Sequence, residues 1–126
     1  MGKTVLIIDD DLSFAEMAGT LLEDRGLVPI IARGGAQAKE RLRSCTPDAI
    51  LLDLNMPGTD GRQMLRWLKS EPQTRDIPVL ICTITEVDVG GELLERGAAD
   101  FIHKTSYLRD LGPRVERALS PSGPPR

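Results

Sequence analysis

Cysteine is scarce in this sequence, with two residues, Cys45 and Cys82, among 126. Neither belongs to a CxxC pair and no His/Cys cluster surrounds them, a pattern that argues against a zinc site. Cys82 ends an apolar run that begins at Ile77, so we interpret it as a small core residue. Reduced thiols are typical of cytosolic proteins, and the sequence therefore predicts a cytoplasmic protein.

The sequence also lacks an excess of positive charge. Its 16 Lys and Arg residues are outnumbered by 19 Asp and Glu, for a net charge of −3. Nucleic acids and anionic membranes are bound by clustered Lys and Arg side chains. We therefore predict that this chain binds neither DNA, RNA nor a membrane directly.

Long hydrophobic runs are missing as well. No run approaches the ~18 apolar residues that a membrane-spanning helix needs. The first residues, MGKTVLIIDDD, carry one Lys and too few apolar residues for a secretory signal peptide. Leu6 stands where a myristoylation motif has Ser or Thr. These absences predict a soluble, intracellular protein.

Five short apolar runs are present instead. They are rich in Val, Ile and Leu and do not alternate with polar residues, which is typical of strands buried on both faces of a sheet. The five predicted strands are Val5–Ile8, Val28–Ala32, Ala49–Leu52, Val79–Cys82 and Phe101–Ile102.

Helical patterns separate and follow these runs. In the first, apolar residues recur at helical spacing: Phe14, Met17, Ala18, Leu21 and Leu22. Weaker patterns cover residues 38–45, 61–68, 89–94 and 108–119. Pro113 falls inside the last pattern, so that helix is expected either to kink or to begin near Gly112.

Strand and helix alternate five times with short connections, which predicts an α/β domain with a parallel sheet and helices on both faces. A chain of 126 residues is long enough for one domain with its own core. We assign residues 1–119 to that domain. Residues 120–126 are rich in Pro, Ser and Gly and are predicted to form a flexible tail or the start of a linker.

Chemically active side chains follow four of the predicted strands. Asp9 and Asp10 come after the first strand, Asp53 after the third, Thr83 after the fourth and Lys104 after the fifth. In an open parallel sheet, ligands bind at the carboxyl ends of the strands. Grouped carboxylates there need a cation, and Mg²⁺ suits such oxygen ligands and phosphate-bearing partners. An Asp nucleophile with a metal ion, a Lys and a Thr nearby is equipped for phosphoryl transfer.

At these positions the sequence resembles the receiver domains of two-component response regulators. The stretches that carry the resemblance are VLIIDDD, DAILLDLNMPGTDG, PVLICT and GAADFIHK, and it covers about residues 4 to 119. It implies a three-layer, flavodoxin-like (βα)5 fold with strand order 2-1-3-4-5. It also implies a switch that takes a phosphoryl group from a phosphohistidine on a histidine kinase or phosphotransfer protein.

The resemblance assigns a role to each matching residue. Asp53 would be phosphorylated. Asp10 would bind Mg²⁺ directly, Asp9 through water and Asn55 through its backbone carbonyl. Thr83 and Lys104 would contact the phosphoryl group. The conformational switch pair would be Thr83 and Phe101.

The sequence departs from the family pattern at two places. Ile84 stands where receivers usually have a small residue, and with Thr85 and Asn55 it is predicted to tune the lifetime of the phosphoryl group, with slow hydrolysis expected. Thr105 replaces a proline that usually follows the lysine through a cis bond. Lys104 is therefore expected either to keep a strained backbone or to follow another path.

Several alternatives remain open at this point. The chain is either a switch that acts on a separate partner or a receiver cut from a larger protein with an output domain. It would otherwise be a pseudo-receiver, an interaction module that no longer takes phosphate. A small hydrolase is disfavoured because no Ser/His/Asp or Cys/His set is visible. We predict structural roles for four further residues: Asp11 and Asp60 as helix caps, and Trp67 and His103 in packing or at the surface.

Overall fold

The computed structural model describes residues 2–84 and 90–120. It contains a five-stranded sheet and a separate two-stranded hairpin. The strands are β1 (Thr4–Ile8), β2 (Val28–Ala32), β3 (Ala49–Leu52), β4 (Asn55–Met56), β5 (Thr59–Asp60), β6 (Val79–Thr83) and β7 (Asp100–His103). The α-helices are α1 (Leu12–Glu23), α2 (Gly35–Ser44), α3 (Gly61–Ser70), α4 (Gly90–Glu95) and α5 (Tyr107–Leu119).

The large sheet is wholly parallel and has the order β2-β1-β3-β6-β7. This is the predicted order 2-1-3-4-5 once the two hairpin strands are left out of the count. The predicted α/β fold is therefore confirmed, and every predicted strand exists within a residue or two of its expected bounds.

The central strands are buried on both faces, which explains their unbroken apolar sequences. Successive residues of β1, β3 and β6 point alternately into two apolar clusters. One cluster includes side chains of α2, α3 and α4, and the other includes side chains of α1 and α5. The helices thus form a layer on each side of the sheet, as the three-layer prediction requires.

Two predicted helix caps are confirmed. The Asp11 carboxylate accepts a hydrogen bond of 3.1 Å from the backbone N–H of Phe14 at the start of α1. The Asp60 carboxylate accepts one of 2.9 Å from Arg62 at the start of α3. Both acids satisfy backbone N–H groups that have no partner within the helix.

Of the two expectations for the last helix, a start near Gly112 was wrong. Helix α5 begins at Tyr107 and continues through Pro113. Proline removes one backbone hydrogen bond of the helix, but Leu111 and Val115 are fully buried on its inner face. Burial of that apolar face outweighs the missing hydrogen bond.

The antiparallel hairpin formed by β4 and β5 was not predicted. Its turn contains Gly58, whose φ of 71° favours glycine. At the end of the hairpin a Cβ on Gly61 would lie 2.4 Å from the Cα of Leu54, so no larger residue fits without a backbone shift. The hairpin thereby fixes the path of the chain directly after Asp53.

Thr85, with a predicted tuning role, and Val89, in the predicted fourth helix, lie outside the described residues, as do residues 121–126 of the predicted tail. Within residues 2–84 and 90–120, no helix is both long enough and apolar enough to cross a membrane.

Candidate functional site

The pairing of β1 with β3 brings the acids together. Ile8 and Leu52 are in register, so Asp9 and Asp53 emerge side by side from neighbouring strand ends. The backbone N–H of Asp53 continues the pairing by donating to the carbonyl of Ile8 over 3.0 Å. One carboxylate oxygen from each of Asp9, Asp10 and Asp53 lies within 4.8 Å of the others, as the sequence predicts.

These three carboxylates, which we call the acid cluster, form a donor set that fits a hard divalent cation. Asp9 is 2% exposed and Asp53 is 4% exposed, while Asp10 is half-buried. Burial, and to a smaller degree the charge of Asp53, raises the pKa of the Asp9 carboxyl, although hydrogen bonds from Lys104 and the Asp11 backbone oppose this. The cluster is thus electrostatically costly without a cation, and carboxylate oxygens are the ligands that Mg²⁺ prefers.

Lys104 is the ammonium group at this cluster. Its Nζ lies 2.8 Å from Asp9 Oδ2 and 3.4 Å from Asp53 Oδ2, and its side chain is 10% exposed. Burial alone would lower the Lys104 pKa, but the hydrogen bond to Asp9 and the charges of both acids outweigh it and raise the pKa. The lysine is therefore a positively charged group beside the carboxyl groups of Asp9 and Asp53.

The substitution of Thr105 for proline does not remove Lys104 from the site. Residues Lys104–Ser106 form one turn of 3-10 helix after β7. No peptide bond in the described ranges 2–84 and 90–120 is cis. Of the two expectations for this loop, the structure therefore has the alternative path, and the ammonium still reaches both Asp9 and Asp53.

Thr83 is held by a contact that the sequence did not predict. Its side chain is completely buried at the end of β6, and its Oγ1 accepts a hydrogen bond of 3.1 Å from Nδ2 of Asn55. The backbone N–H of Asn55 donates to Asp53 Oδ1 over 3.2 Å. Asn55 thus connects the carboxylate of Asp53 with the hydroxyl of Thr83.

Phe101 lies within β7, and Ile84 directly follows β6. Phe101 pairs in the sheet with Ile81, two residues before Thr83, and is half-buried. Its ring meets the exposed His103 ring edge-on, with centroids 5.0 Å apart. Ile84 follows Thr83 directly and is 64% exposed, so its side chain extends largely into solvent.

One neighbour of the site was assigned only to the core by the sequence. Phe14, on the first turn of α1, places its ring 4.4 Å from Lys104 Nζ, measured to the ring centroid. The helical spacing of Phe14 predicted burial correctly. No sequence signal indicated the contact, because Phe14 and Lys104 are brought together by the packing of α1 against the start of α5.

Known proteins with similar sequences are response regulators. The phosphate regulon transcriptional regulatory protein PhoB of Pseudomonas aeruginosa is 38% identical over 125 residues, which cover 98% of this chain and 55% of that protein. The DNA-binding response regulator MtrA of Mycobacterium leprae is 34% identical over 94% of this chain and 52% of its own length. The chain therefore spans about half the length of the curated relatives it matches.

Solved structures with the same fold include a signal receiver domain of a signal transduction histidine kinase from Syntrophus aciditrophicus. It has a TM-score of 0.84 and 37% identity, covering 94% of this chain and 90% of that one. The signal receiver domain of a DNA-binding response regulator protein from Colwellia psychrerythraea has a TM-score of 0.85 and 29% identity, covering 93% and 98%.

The acid cluster and Lys104 both lie within the part of the chain that matches a known family. Residues 5–116 match the response regulator receiver domain family. This match covers most of the chain, and the relatives and solved structures point the same way. The chain belongs to the response regulator receiver domain family.

Proposed function

We propose that this chain accepts a phosphoryl group on Asp53 from the phosphohistidine of a histidine kinase or phosphotransfer protein. The observation that carries the proposal is the grouping of Asp9, Asp10 and Asp53 within 4.8 Å of one another beside the Lys104 ammonium. A buried carboxylate with adjacent charge-stabilising groups has the features of an activated nucleophile.

In the proposed transfer, a carboxylate oxygen of Asp53 forms a bond to phosphorus while the phosphorus–nitrogen bond of the donor breaks. The imidazole leaves with the bonding electron pair and can then accept a proton. Lys104 Nζ, at 3.4 Å from Asp53 Oδ2, lies where it can attract the oxygens of the transferring group. The Thr83 hydroxyl can donate to one of these oxygens while it still accepts from Asn55.

The acid cluster and the backbone carbonyl of Asn55 are the groups that would hold Mg²⁺. When bound, the ion would neutralise charge on the carboxylates and on the phosphoryl oxygens. Because Asp9 forms an ion pair with Lys104 in this structure, Mg²⁺ and the Lys104 ammonium would compete for the Asp9 carboxylate.

Phosphorylation of Asp53 would change the positions of the Thr83 and Phe101 side chains. Thr83 sits two residues along β6 from the pairing partner of Phe101, so a shift of the Thr83 hydroxyl can be transmitted to the Phe101 ring through the sheet edge. We propose that Asn55, Ile84 and Thr85 set how long the phosphoryl group survives, with slow hydrolysis. The chain would thus work as a signalling switch that catalyses its own phosphorylation and dephosphorylation.

The downstream partner is either a separate protein or an output domain joined to this receiver. Two curated relatives are named as a transcriptional regulatory protein and a DNA-binding response regulator, and this chain matches about half of each. We propose that the chain acts in the cytoplasm, where thiols such as those of its free cysteines Cys45 and Cys82 stay reduced. The receiver itself, with its net charge of −3, is not the proposed DNA-binding part.

The intact mass after incubation with phosphoramidate, a small donor with a phosphorus–nitrogen bond, tests the proposal. With Mg²⁺ the protein should gain one phosphoryl group, and a chelator should prevent the gain. Asp53→Ala should gain none, whereas Asp60→Asn, which changes a nearby acid but can still cap α3, should behave like the unaltered protein.

The same experiment addresses the pseudo-receiver alternative. No gain of mass with phosphoramidate, acetyl phosphate or a phosphorylated histidine kinase would favour a module that works without phosphorylation. A gain that persists in Asp53→Ala would place the acceptor elsewhere and would overturn the assignment of Asp53.

A further inference from the structure

Two of the four aromatic residues of this chain lie together beside Lys104. The face of Phe14 is 4.4 Å from the ammonium, measured to the ring centroid. Tyr107 meets Phe14 edge-on, with centroids 4.9 Å apart and ring planes at 63°. The Tyr107 hydroxyl donates to Sδ of Met17 over 3.5 Å. The starts of α1 and α5 together fix the orientation of the Phe14 ring.

We propose that Phe14 is a positioning residue for phosphoryl transfer and acts through Lys104, whose ammonium it keeps beside Asp53. The inference rests on the proposed function, because it treats Lys104 as the cation that faces the transferring phosphoryl group. The Tyr107 ring, in turn, holds Phe14 in the orientation that presents its face to the ammonium.

The surroundings of the ammonium explain why a ring is needed there. An ammonium has three N–H groups, and the oxygens of Asp9 and Asp53 lie in two directions at 2.8 and 3.4 Å. The Phe14 ring is the third neighbour. Because the Lys104 side chain is only 10% exposed, little water screens the attraction between cation and ring.

The ring differs from the two carboxylates in one respect that matters for the reaction. It carries no net charge and cannot bind a metal ion, so its contact with the ammonium does not compete with a cation for Asp9 or Asp53. The flexible stem of a lysine has many rotamers. The Phe14 ring would restrict those of Lys104 even while Asp9 and Asp53 bind a metal ion. Packing alone would be satisfied by Leu at position 14, but leucine has no π face.

A cycle of four proteins tests the inference: the unaltered chain, Phe14→Leu, Lys104→Met and the double variant. The rate of Asp53 phosphorylation is measured with phosphoramidate and Mg²⁺. We expect Phe14→Leu to slow the reaction by about three- to thirty-fold, the range of a poorly solvated cation–π contact. In the Lys104→Met background the same change should slow it far less. Equal slowing in both backgrounds, or no slowing in either, would overturn the inference.

Leu22→Val provides the matched control, because Leu22 lies in the same apolar cluster eight residues further along α1 and is completely buried. It should lower stability without a comparable effect on the rate. If Leu22→Val slows phosphorylation as much as Phe14→Leu does, general loosening of α1 explains the result and the positioning role is wrong.

A second measurement does not depend on phosphorylation. In the NMR spectrum of the metal-free protein, the ε-methylene protons of Lys104 should be shifted upfield by the Phe14 ring. The shift should disappear in Phe14→Leu and persist in Leu22→Val. An unshifted resonance in the unaltered protein would contradict the contact. If the unaltered protein takes no phosphoryl group, the proposed function fails, and this spectrum still decides whether Phe14 holds Lys104.

Discussion

Neutralising Asp10 should make the metal-free protein more stable. One oxygen of Asp10 lies within 4.8 Å of oxygens on both Asp9 and Asp53, and the ion pairs of Lys104 are with those two acids. At 4.8 Å two unit charges repel by about 3 kcal/mol at an effective dielectric constant of about 20 and by under about 1 kcal/mol in bulk water. Asp10 is half-buried, so we expect Asp10→Asn to raise the free energy of unfolding by about 1–2 kcal/mol.

Thermal unfolding followed by circular dichroism, in a chelator and at low salt, measures this effect. For a chain of this length, 1 kcal/mol corresponds to about 4 °C in Tm, so the expected rise is about 4–8 °C. Asp11→Asn is the matched control, because it removes the same charge one residue away while Asn still caps α1. A Tm for Asp10→Asn at or below that of Asp11→Asn would show that repulsion at Asp10 does not limit the stability of the folded chain.

The effect of Mg²⁺ should have the opposite sign. A ligand at a hundred times its dissociation constant stabilises the folded state by about 2.7 kcal/mol, which is about 10 °C in Tm for this chain. The unaltered protein and Asp11→Asn should show this rise as Mg²⁺ is added. Asp10→Asn should show little of it, because one ligand of the acid cluster is gone. An equal rise in all three proteins would place the cation elsewhere.

Gly61, Asn55 and Cys82 each offer a further test. Gly61→Ala should lower the free energy of unfolding, measured in urea, by at least about 2 kcal/mol, because the new Cβ meets backbone atoms of Leu54. The control is Gly91→Ala in α4. A Cβ there has no atom within 4 Å, so this change should not destabilise the chain. Asn55→Ala should lower the free energy of unfolding by about 1–3 kcal/mol in the same assay, because the buried Thr83 hydroxyl loses the hydrogen bond donated by Asn55. A smaller loss in the Thr83→Val background would show that this hydrogen bond is the cause. Burial raises the pKa of Cys82 to about 12, so iodoacetamide at pH 8 should label this cysteine only after unfolding. The buried neutral thiol contributes fully to the free energy of unfolding below the ordinary pKa of cysteine. That contribution is lost as the pH rises towards 12.

The arrangement of the fold was predictable because burial on both faces leaves a direct trace in the sequence. Runs such as Ala49–Leu52 have no polar residue, and such runs alternated with helical patterns. The site followed from the same logic, since Asp9 and Asp53 come directly after strands that parallel pairing places side by side. Local signals at Asp11 and Asp60 also predicted the two caps correctly.

The parts that were not predicted depend on contacts between distant residues. The hydrogen bond from Asn55 to Thr83 and the contact of Phe14 with Lys104 join elements that are far apart in sequence. No spacing rule links such pairs. The β4–β5 hairpin was missed because two-residue strands have no periodicity to detect. At Pro113 the local preference was overridden by the burial of the α5 face.

Trapping of the acyl phosphate identifies the residue that accepts the phosphoryl group. After incubation with acetyl phosphate and Mg²⁺, reduction with borohydride converts a phosphorylated aspartate to homoserine, and peptide mapping by mass spectrometry locates it. We predict homoserine at position 53 and at no other acid, and none when a chelator is present. Homoserine at Asp9, Asp10 or Asp60, or its absence at Asp53 while the protein gains a phosphoryl group, would show that Asp53 is not the acceptor.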